Sequence, residues 1–421
     1  MWRSGELWCN VGTLVVSRAA RRCGYNDSVR ELALIFVVGC GFAPGSGDHP
    51  GSSGDDAMPG NSSGGDGQPQ QVVPPLHLGS GDGDPGSAGL SLTGTVTINT
   101  MTLTISTPLP SGVTFDMRPQ LGGGPELAVL HVGTFNVGSG ATVHVTGSRP
   151  LVIVAGGAVT IDGTLDAGGH ADVAGPGAMT TGAGIGGNGS HVGTYSDSGG
   201  GGGGYATIAA LGGAINTGCT VTAGTAGGSQ GDATITRLAG GSSGGRGSGN
   251  SCPANNGGGG GGALQISSAI SIHVNAGGAL LAGGGGGTGG TDCGGGDGNS
   301  GAGGGAGGSI VVQAPMVING GVIAANGGGG GGSGSGSGGT GTPGEDGHPN
   351  TGVAKGGPGS GGSGTGGGDG AAFGTMPMPG NSNTCSNNAG GGGGAVGRIA
   401  ISTGYVDQGT TTPAPSTALP L

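Results

Sequence analysis

Five runs of five or six unbroken glycines punctuate this chain, at Gly199–Gly204, Gly257–Gly262, Gly283–Gly287, Gly327–Gly332 and Gly390–Gly394. Glycine loses more backbone entropy on ordering than any other residue and has no side chain to bury. Such runs cannot form a helix interior or an ordinary core strand. Two outcomes stay open for them. They are loose loops, or they are extended chains lying side by side as closely as collagen strands do at their axis, held by backbone and Cα–H contacts. Composition sharpens the point: 120 glycines and 23 prolines stand among 421 residues, with aromatic residues at 3% and charged residues at 8%. That is too little material for the packed core and acid–base sites of an ordinary globular enzyme. Nucleic acid is excluded as a partner, because the formal charge is −11 and Lys355 is the only lysine.

Set the glycine runs aside and a repeat emerges. Residues 150–169 read PLVIVAGGAVTIDGTLDAGG, 262–284 read GALQISSAISIHVNAGGALLAGG, 308–328 read GSIVVQAPMVINGGVIAANGG, and 394–406 give a partial copy, GAVGRIAISTGYV. Each copy contains short stretches of β-branched and aliphatic residues with strand alternation. Strands this short cannot bury an apolar face alone, so stacked copies must supply one another's core. The fold expected is all-β: a parallel β-helix, or solenoid, interrupted by long glycine-rich insertions at 168–262, 283–308 and 327–394. Its inward residues would be Leu151, Ile153, Val159, Ile161 and Leu165, then Leu264, Ile266, Ile270, Ile272, Val274 and Leu280, then Ile310, Val312, Met316, Ile318 and Ile323. Ala167, Ala282 and Ala325 would sit where space is tight.

This domain is expected to span 88–406, because alternation begins at Leu90, Leu92, Val96 and Ile98 and the Thr/Pro-rich stretch 407–421 reads as a tail. Residues 40–87, rich in Gly, Ser, Pro and Asp, read as a disordered tether. Upstream, Leu32–Val38 is an apolar run led by Arg30, too short to span a bilayer and suited to a secretory signal over 1–39. The long lead of residues 1–28 is unusual for such a signal, and a true start near Val29 is expected. Cys219, Cys252, Cys293 and Cys385 all lie in the insertions. An even number in an exported chain points to two disulfides, with three pairings open. Cys219 with Cys252 and Cys293 with Cys385 is the pairing expected, because the second and third insertions leave consecutive repeats.

Residues that resemble chemistry mostly have plainer readings. Asp162 and Asp166 in TIDGTLDAGG invite comparison with the carboxylate pairs of polysaccharide-cleaving β-helix enzymes, but such sites need basic companions and the nearest in sequence is Arg149. Asp82 and Asp84, and the stretches around Asp297 and Asp369, lack the regular ligand spacing of calcium loops. No CxxC or His–Cys spacing suggests a metal, and His144 and His273 fall at outward strand positions. No catalytic residue, metal site or cofactor is therefore expected. Tyr195 and Tyr205, which bracket the first glycine run, are candidates for exposed contact residues.

Val37-Val38-Gly39-Cys40 resembles the lipobox of bacterial lipoproteins, which implies a lipid on Cys40 as the first mature residue. Gly41, where an Asp would favour the inner membrane, implies outer-membrane sorting. The glycine tracts and short β repeats, over about residues 150–405, resemble the glycine-rich surface proteins of bacteria, including PGRS-type proteins and autotransporter-like β-solenoid adhesins. Neither the helical N-terminal domain of the former nor the C-terminal barrel of the latter is expected from these residues. These resemblances imply a lipid-anchored outer-membrane or cell-surface protein with a structural or adhesive role and no catalysis. Its partners would be the membrane, through the anchor, and an envelope polysaccharide or another cell-surface protein. The alternative is a polysaccharide-active β-helix enzyme or a carbohydrate-binding surface protein.

Overall fold

The computed structural model describes residues 74–415 and 417–419, apart from 194, 250, 251, 295, 296 and 337. The expected signal at 1–39, the lipidation at Cys40 and the tether as far as residue 73 lie outside the described residues. Before the first glycine-rich excursion come β1 (Leu90–Leu92), β2 (Thr95–Asn99), β3 (Thr104–Ile105), β4 (Thr114–Arg118) and β5 (Leu127–Val132). They are followed by β6 (Phe135–Val137), β7 (Thr142–Thr146), β8 (Leu151–Ala155), β9 (Val159–Ile161) and β10 (Thr164–Asp166). The first excursion contains β11 (His191–Val192), β12 (Ser196–Asp197) and β13 (Ile215–Thr217), and β14 (Ala263–Ser268), β15 (Ser271–Val274) and β16 (Ala279–Leu281) follow it. The second holds β17 (Asp292–Gly294) and β18 (Asp297–Gly298), then come β19 (Ser309–Gln313), β20 (Met316–Asn319) and β21 (Val322–Ala324). The third holds β22 (Asn383–Thr384), and β23 (Arg398–Ser402), β24 (Tyr405–Asp407), β25 (Thr410–Thr412) and β26 (Thr417–Leu419) follow it.

Three sheets take most of these strands in rotation. The first runs β1-β6-β9-β15-β20-β24, the second β25-β21-β16-β10-β7-β2-β3 and the third β26-β23-β19-β14-β8-β5-β4. Pairing within them is parallel except where β3 meets β2 and β4 meets β5. Register follows the sequence repeats: Leu264 lies between Leu151 and Ile310, and Leu280 between Leu165 and Ile323. Because like residues stack on like, the side chains pointing between the sheets merge into one apolar seam.

The expected parallel β-helix is corrected by this arrangement. The all-β class holds, with no helix among the described residues, but the strands form several separate, mostly parallel sheets and no closed solenoid. The physical reason lies in where the glycine falls. After β10, β16 and β21, where a solenoid would turn into its next circuit, the chain leaves the sheets and returns only at β14, β19 and β23. Three inward assignments also fail: Ile270 and Met316 are exposed, and Ile318 is only half-buried while its neighbour Val317 takes the buried position. Three successive apolar residues, Met316, Val317 and Ile318, hide the strand's phase.

Both ends of the expected domain are wider than composition indicated. The third sheet's outer face is also apolar, and Val129, Val152, Val154 and Val311 pack with Leu78, Ile235 and Leu238. His77 is buried beside them, its Nδ1 2.5 Å from Gln265 Oε1 and its Nε2 2.5 Å from the Ile235 carbonyl. Leu76 N–H donates to Gln313 Oε1 at 2.8 Å. The last part of the expected tether, from residue 74, is thus packed against the third sheet. At the other end, Thr410–Thr412 extends the second sheet and Thr417–Leu419 the third, so the Thr/Pro stretch is not a free tail.

The excursions are ordered by one another. Gly199 and Gly202 donate to the carbonyls of Gly213 and Ala210, Gly200 and Gly203 to those of Gly301 and Gly304, and Gly201 and Gly204 to those of Gly187 and Gly184. Each neighbour is met again after three residues, the period of an extended threefold chain. The tract at Gly327–Gly332 repeats the scheme: Gly328 and Gly331 bond Gly305 and Ala302, while Gly329 and Gly332 bond Glu345 and Thr342. Backbone groups that buried loops would leave unpaired are satisfied laterally. The spacing leaves no room for a side chain, since a Cβ on Gly303 would lie 1.9 Å from the Gly201 carbonyl oxygen.

Two disulfides tie the excursions together, in a pairing other than the one expected. Cys219 joins Cys385 and Cys252 joins Cys293, with Cα–Cα separations of 5.5 and 5.7 Å. Lateral packing explains the difference, because it places the first excursion beside both of the others: Gly200 donates to Gly301, and Gly392 donates to Gly200. The bridges close sequence separations of 166 and 41 residues. In the chain-entropy model they stabilise by about 5 and about 4 kcal/mol respectively.

Candidate functional site

The parallel register of β7 and β10 sets His144 opposite Asp166. Both residues point outward at strand positions whose neighbours, Val143 and Leu165, point into the seam. Just beyond β10, His170 and Val173 exchange backbone hydrogen bonds of 2.9 Å, a tight turn that holds Ala171 at a φ of 46°. This turn brings the His170 ring over Asp166. His170 Nε2 lies 2.9 Å from Asp166 Oδ2, and His144 Nδ1 lies 3.8 Å from the same oxygen. The other ring nitrogen of His170 is 3.1 Å from Asp346 Oδ2, in the third excursion. Asp346 Oδ1 accepts the N–H groups of Ala171 and Gly286 at 2.9 and 2.8 Å, so one carboxylate joins all three excursions.

These groups border a cavity of about 260 Å³ lined by Asp166, His170, Leu281, Asp346, His348 and Pro349, with backbone glycines between them. His348 is held by Glu345, with Nε2 3.0 Å from Oε2. Electrostatics here run in one direction. The hydrogen bonds to Asp166 and then Asp346 push the His170 pKa up to about 10. Burial opposes ionisation of Asp166, but the His170 hydrogen bond, the Gly168 N–H and the charges of His170 and His144 outweigh it and lower its pKa. Asp346 shows the same balance: burial is offset by His170 and by the N–H groups of Gly286 and Ala171, and the net shift is downward. Among the described residues, His144, Asp166 and His170 form a group whose ligand atoms all lie within 4.8 Å of one another.

A second feature is apolar and exposed. Residues 206–211 and 372–378 flank 393–396, through hydrogen bonds from Ala206 to Val396, from Ala210 to Gly393 and from Gly393 to Met378. Ile208, Leu211, Phe373, Met376 and Met378 stand out from these loops, Met376 with 78% of its surface exposed. A shallow cavity of about 250 Å³ lies between the loops, lined by Thr207, Ala372, Met376, Val396 and Pro413.

The residues singled out in the sequence are distributed otherwise. Asp162 accepts a hydrogen bond from Asn275 at 2.7 Å while Asp166 faces histidines, so the two carboxylates have separate partners. Tyr205 is buried rather than exposed: its hydroxyl donates to the Ala239 carbonyl at 2.9 Å, and burial pushes its pKa up to about 12. Tyr195 is exposed. Asp82 binds Arg118 at 3.3 Å, and Asp369 binds Lys355 at 2.8 Å. The His144–Asp166–His170–Asp346 group was not foreseen, although one signal was present. Aligning TVHVT at 142–146 with TLD at 164–166 sets His144 beside Asp166, but nothing in the sequence places Asp346 next to them. Comparison with family models, with curated proteins and with solved structures finds no match for the chain.

Proposed function

We propose that this chain is an exported, lipid-anchored component of the bacterial cell envelope with an adhesive or structural role, held at the membrane through Cys40 and carrying no catalysis. The observation that supports the reading best is the group of exposed apolar side chains, Ile208, Leu211, Phe373, Met376 and Met378, carried on neighbouring loops hydrogen-bonded to the glycine tracts. Exposed apolar groups gathered together mark interaction surfaces, and methionine adapts to varied partners. The fit is to another surface protein rather than to a polysaccharide, since sugar platforms use exposed Trp or Tyr and none of these five residues is either. Two disulfides and a tether rich in Gly, Ser and Pro accord with life outside the cytoplasm.

The test uses producing cells supplied with a lipid label. Wild type is expected in the membrane fraction with label, and Cys40→Ala in neither. Met376→Asp combined with Phe373→Ser should keep the label and the melting temperature but lose attachment to neighbouring cells. Unlabelled, soluble wild-type protein would contradict the anchor, and unchanged attachment by the double variant would contradict the contact role of these side chains.

A further inference from the structure

We propose that His144, Asp166 and His170 bind a divalent transition-metal ion of the zinc class, with Asp346 as the residue that orients His170. Three features of the geometry carry this. The first is convergence. His170 Nε2 and His144 Nδ1 both face Asp166 Oδ2, at 2.9 and 3.8 Å, and no two of the three ligand atoms are more than 4.8 Å apart. Tetrahedral zinc with ligands at about 2.0–2.2 Å sets donor atoms roughly 3.3–3.5 Å apart. Small rotations of His144 and His170, both of which are exposed side chains, close the remaining gap.

The second is the arrangement behind the donors. A metal-binding histidine usually gives its other ring N–H to a carboxylate, which fixes its tautomer and orientation. Asp346 stands 3.1 Å from His170 Nδ1 and is itself held by the N–H groups of Ala171 and Gly286. Asp166 is anchored in the same way, its Oδ1 accepting the Gly168 N–H at 2.9 Å and leaving Oδ2 toward the histidines. The third is access. Asp166 and His170 border the cavity of about 260 Å³, so a fourth position is open to water or to a ligand atom from a partner. Two imidazoles with one carboxylate favour zinc and its first-row neighbours over calcium or magnesium, which take oxygen donors.

The ion would also cross-link the second sheet to the turn that opens the first excursion, because His144 and Asp166 lie on β7 and β10 while His170 lies beyond them. The test uses untagged, oxidised full-length protein stripped of metal with a chelator, titrated calorimetrically with Zn²⁺ and, separately, with Co²⁺ under visible spectroscopy. One site per chain is expected, with the intense d–d absorption of four-coordinate Co²⁺. His170→Ala should abolish it, His144→Ala should weaken it at least tenfold, and Asp346→Asn should weaken it about 10- to 100-fold. His273→Ala, on an outward strand position elsewhere, should leave it unchanged. If a variant fails to fold, the wild-type Co²⁺ spectrum still decides, since a weak six-coordinate spectrum contradicts the site. Absence of saturable binding, or equal binding by the His144→Ala, His170→Ala double variant, would overturn the proposal.

Discussion

Asp197 is fully buried, yet among the described residues only one of its carboxylate oxygens has a partner: Oδ1 accepts the Ser248 hydroxyl at 2.8 Å and Oδ2 accepts no hydrogen bond. Burial is the main cause that pushes its pKa up to about 6; the charge of Asp297 adds to the rise, and Ser248 and His191 oppose it. The native state therefore holds this proton more tightly than the unfolded chain does, whose carboxyl keeps a value near 3.8. Stability from this residue is greatest below about pH 4, falls as the pH rises toward 6 and stays reduced above it. A shift of this size corresponds to about 3 kcal/mol. Asp197→Asn removes the ionisation while keeping the shape. Denaturant unfolding across pH 4–7 should show a flatter stability profile for the variant and a more stable protein at pH 7; an unchanged slope would assign the pH dependence to other groups.

At the scale of the element, the glycine tract behaves as a secondary structure in its own right. A strand tolerates many residues at an exposed position, but a tract surrounded by other tracts tolerates one. A Cβ on Gly303 would meet the Gly201 carbonyl oxygen at 1.9 Å and its carbon at 2.4 Å, and both belong to hydrogen-bonded backbone that cannot swing aside. Gly303→Ala should therefore destabilise the protein by about 3 kcal/mol or more, as overpacked cores do. Gly361 is the control, since a Cβ there meets nothing within 4 Å. Gly361→Ala should be neutral or stabilise by about 0.4–1 kcal/mol through the unfolded chain. Equal, small effects at both positions on urea denaturation would mean that the tracts are not packed.

For the whole molecule, the division between what the sequence disclosed and what it concealed follows the range of each interaction. Alternation at Leu151, Ile153, Val159 and Ile161 is local, and these residues are buried as read. The repeat also placed equivalent strands in register, Leu151 with Leu264 and Leu264 with Ile310. Lateral order among the tracts was not legible, because a run of identical residues carries no phase and no address. For the same reason the disulfide partners were misassigned: Cys219 reaches Cys385 only because the first and third excursions lie side by side. The candidate metal group was half legible, through the register of His144 with Asp166, and half hidden, because Asp346 arrives from a distant excursion.

The central claim is that the glycine tracts are ordered by lateral hydrogen bonds and are not loose loops. Amide hydrogen exchange read by mass spectrometry tests it most directly, because a hydrogen-bonded, buried amide exchanges only on opening. The account predicts that peptides covering Gly199–Gly204, Gly301–Gly308, Gly327–Gly332 and Gly390–Gly394 are protected to the same degree as those covering β8 and β14, and that the exposed stretch around Met376 exchanges fast. Exchange of the tracts at the rate of an unstructured chain, with β8 and β14 still protected, would contradict it.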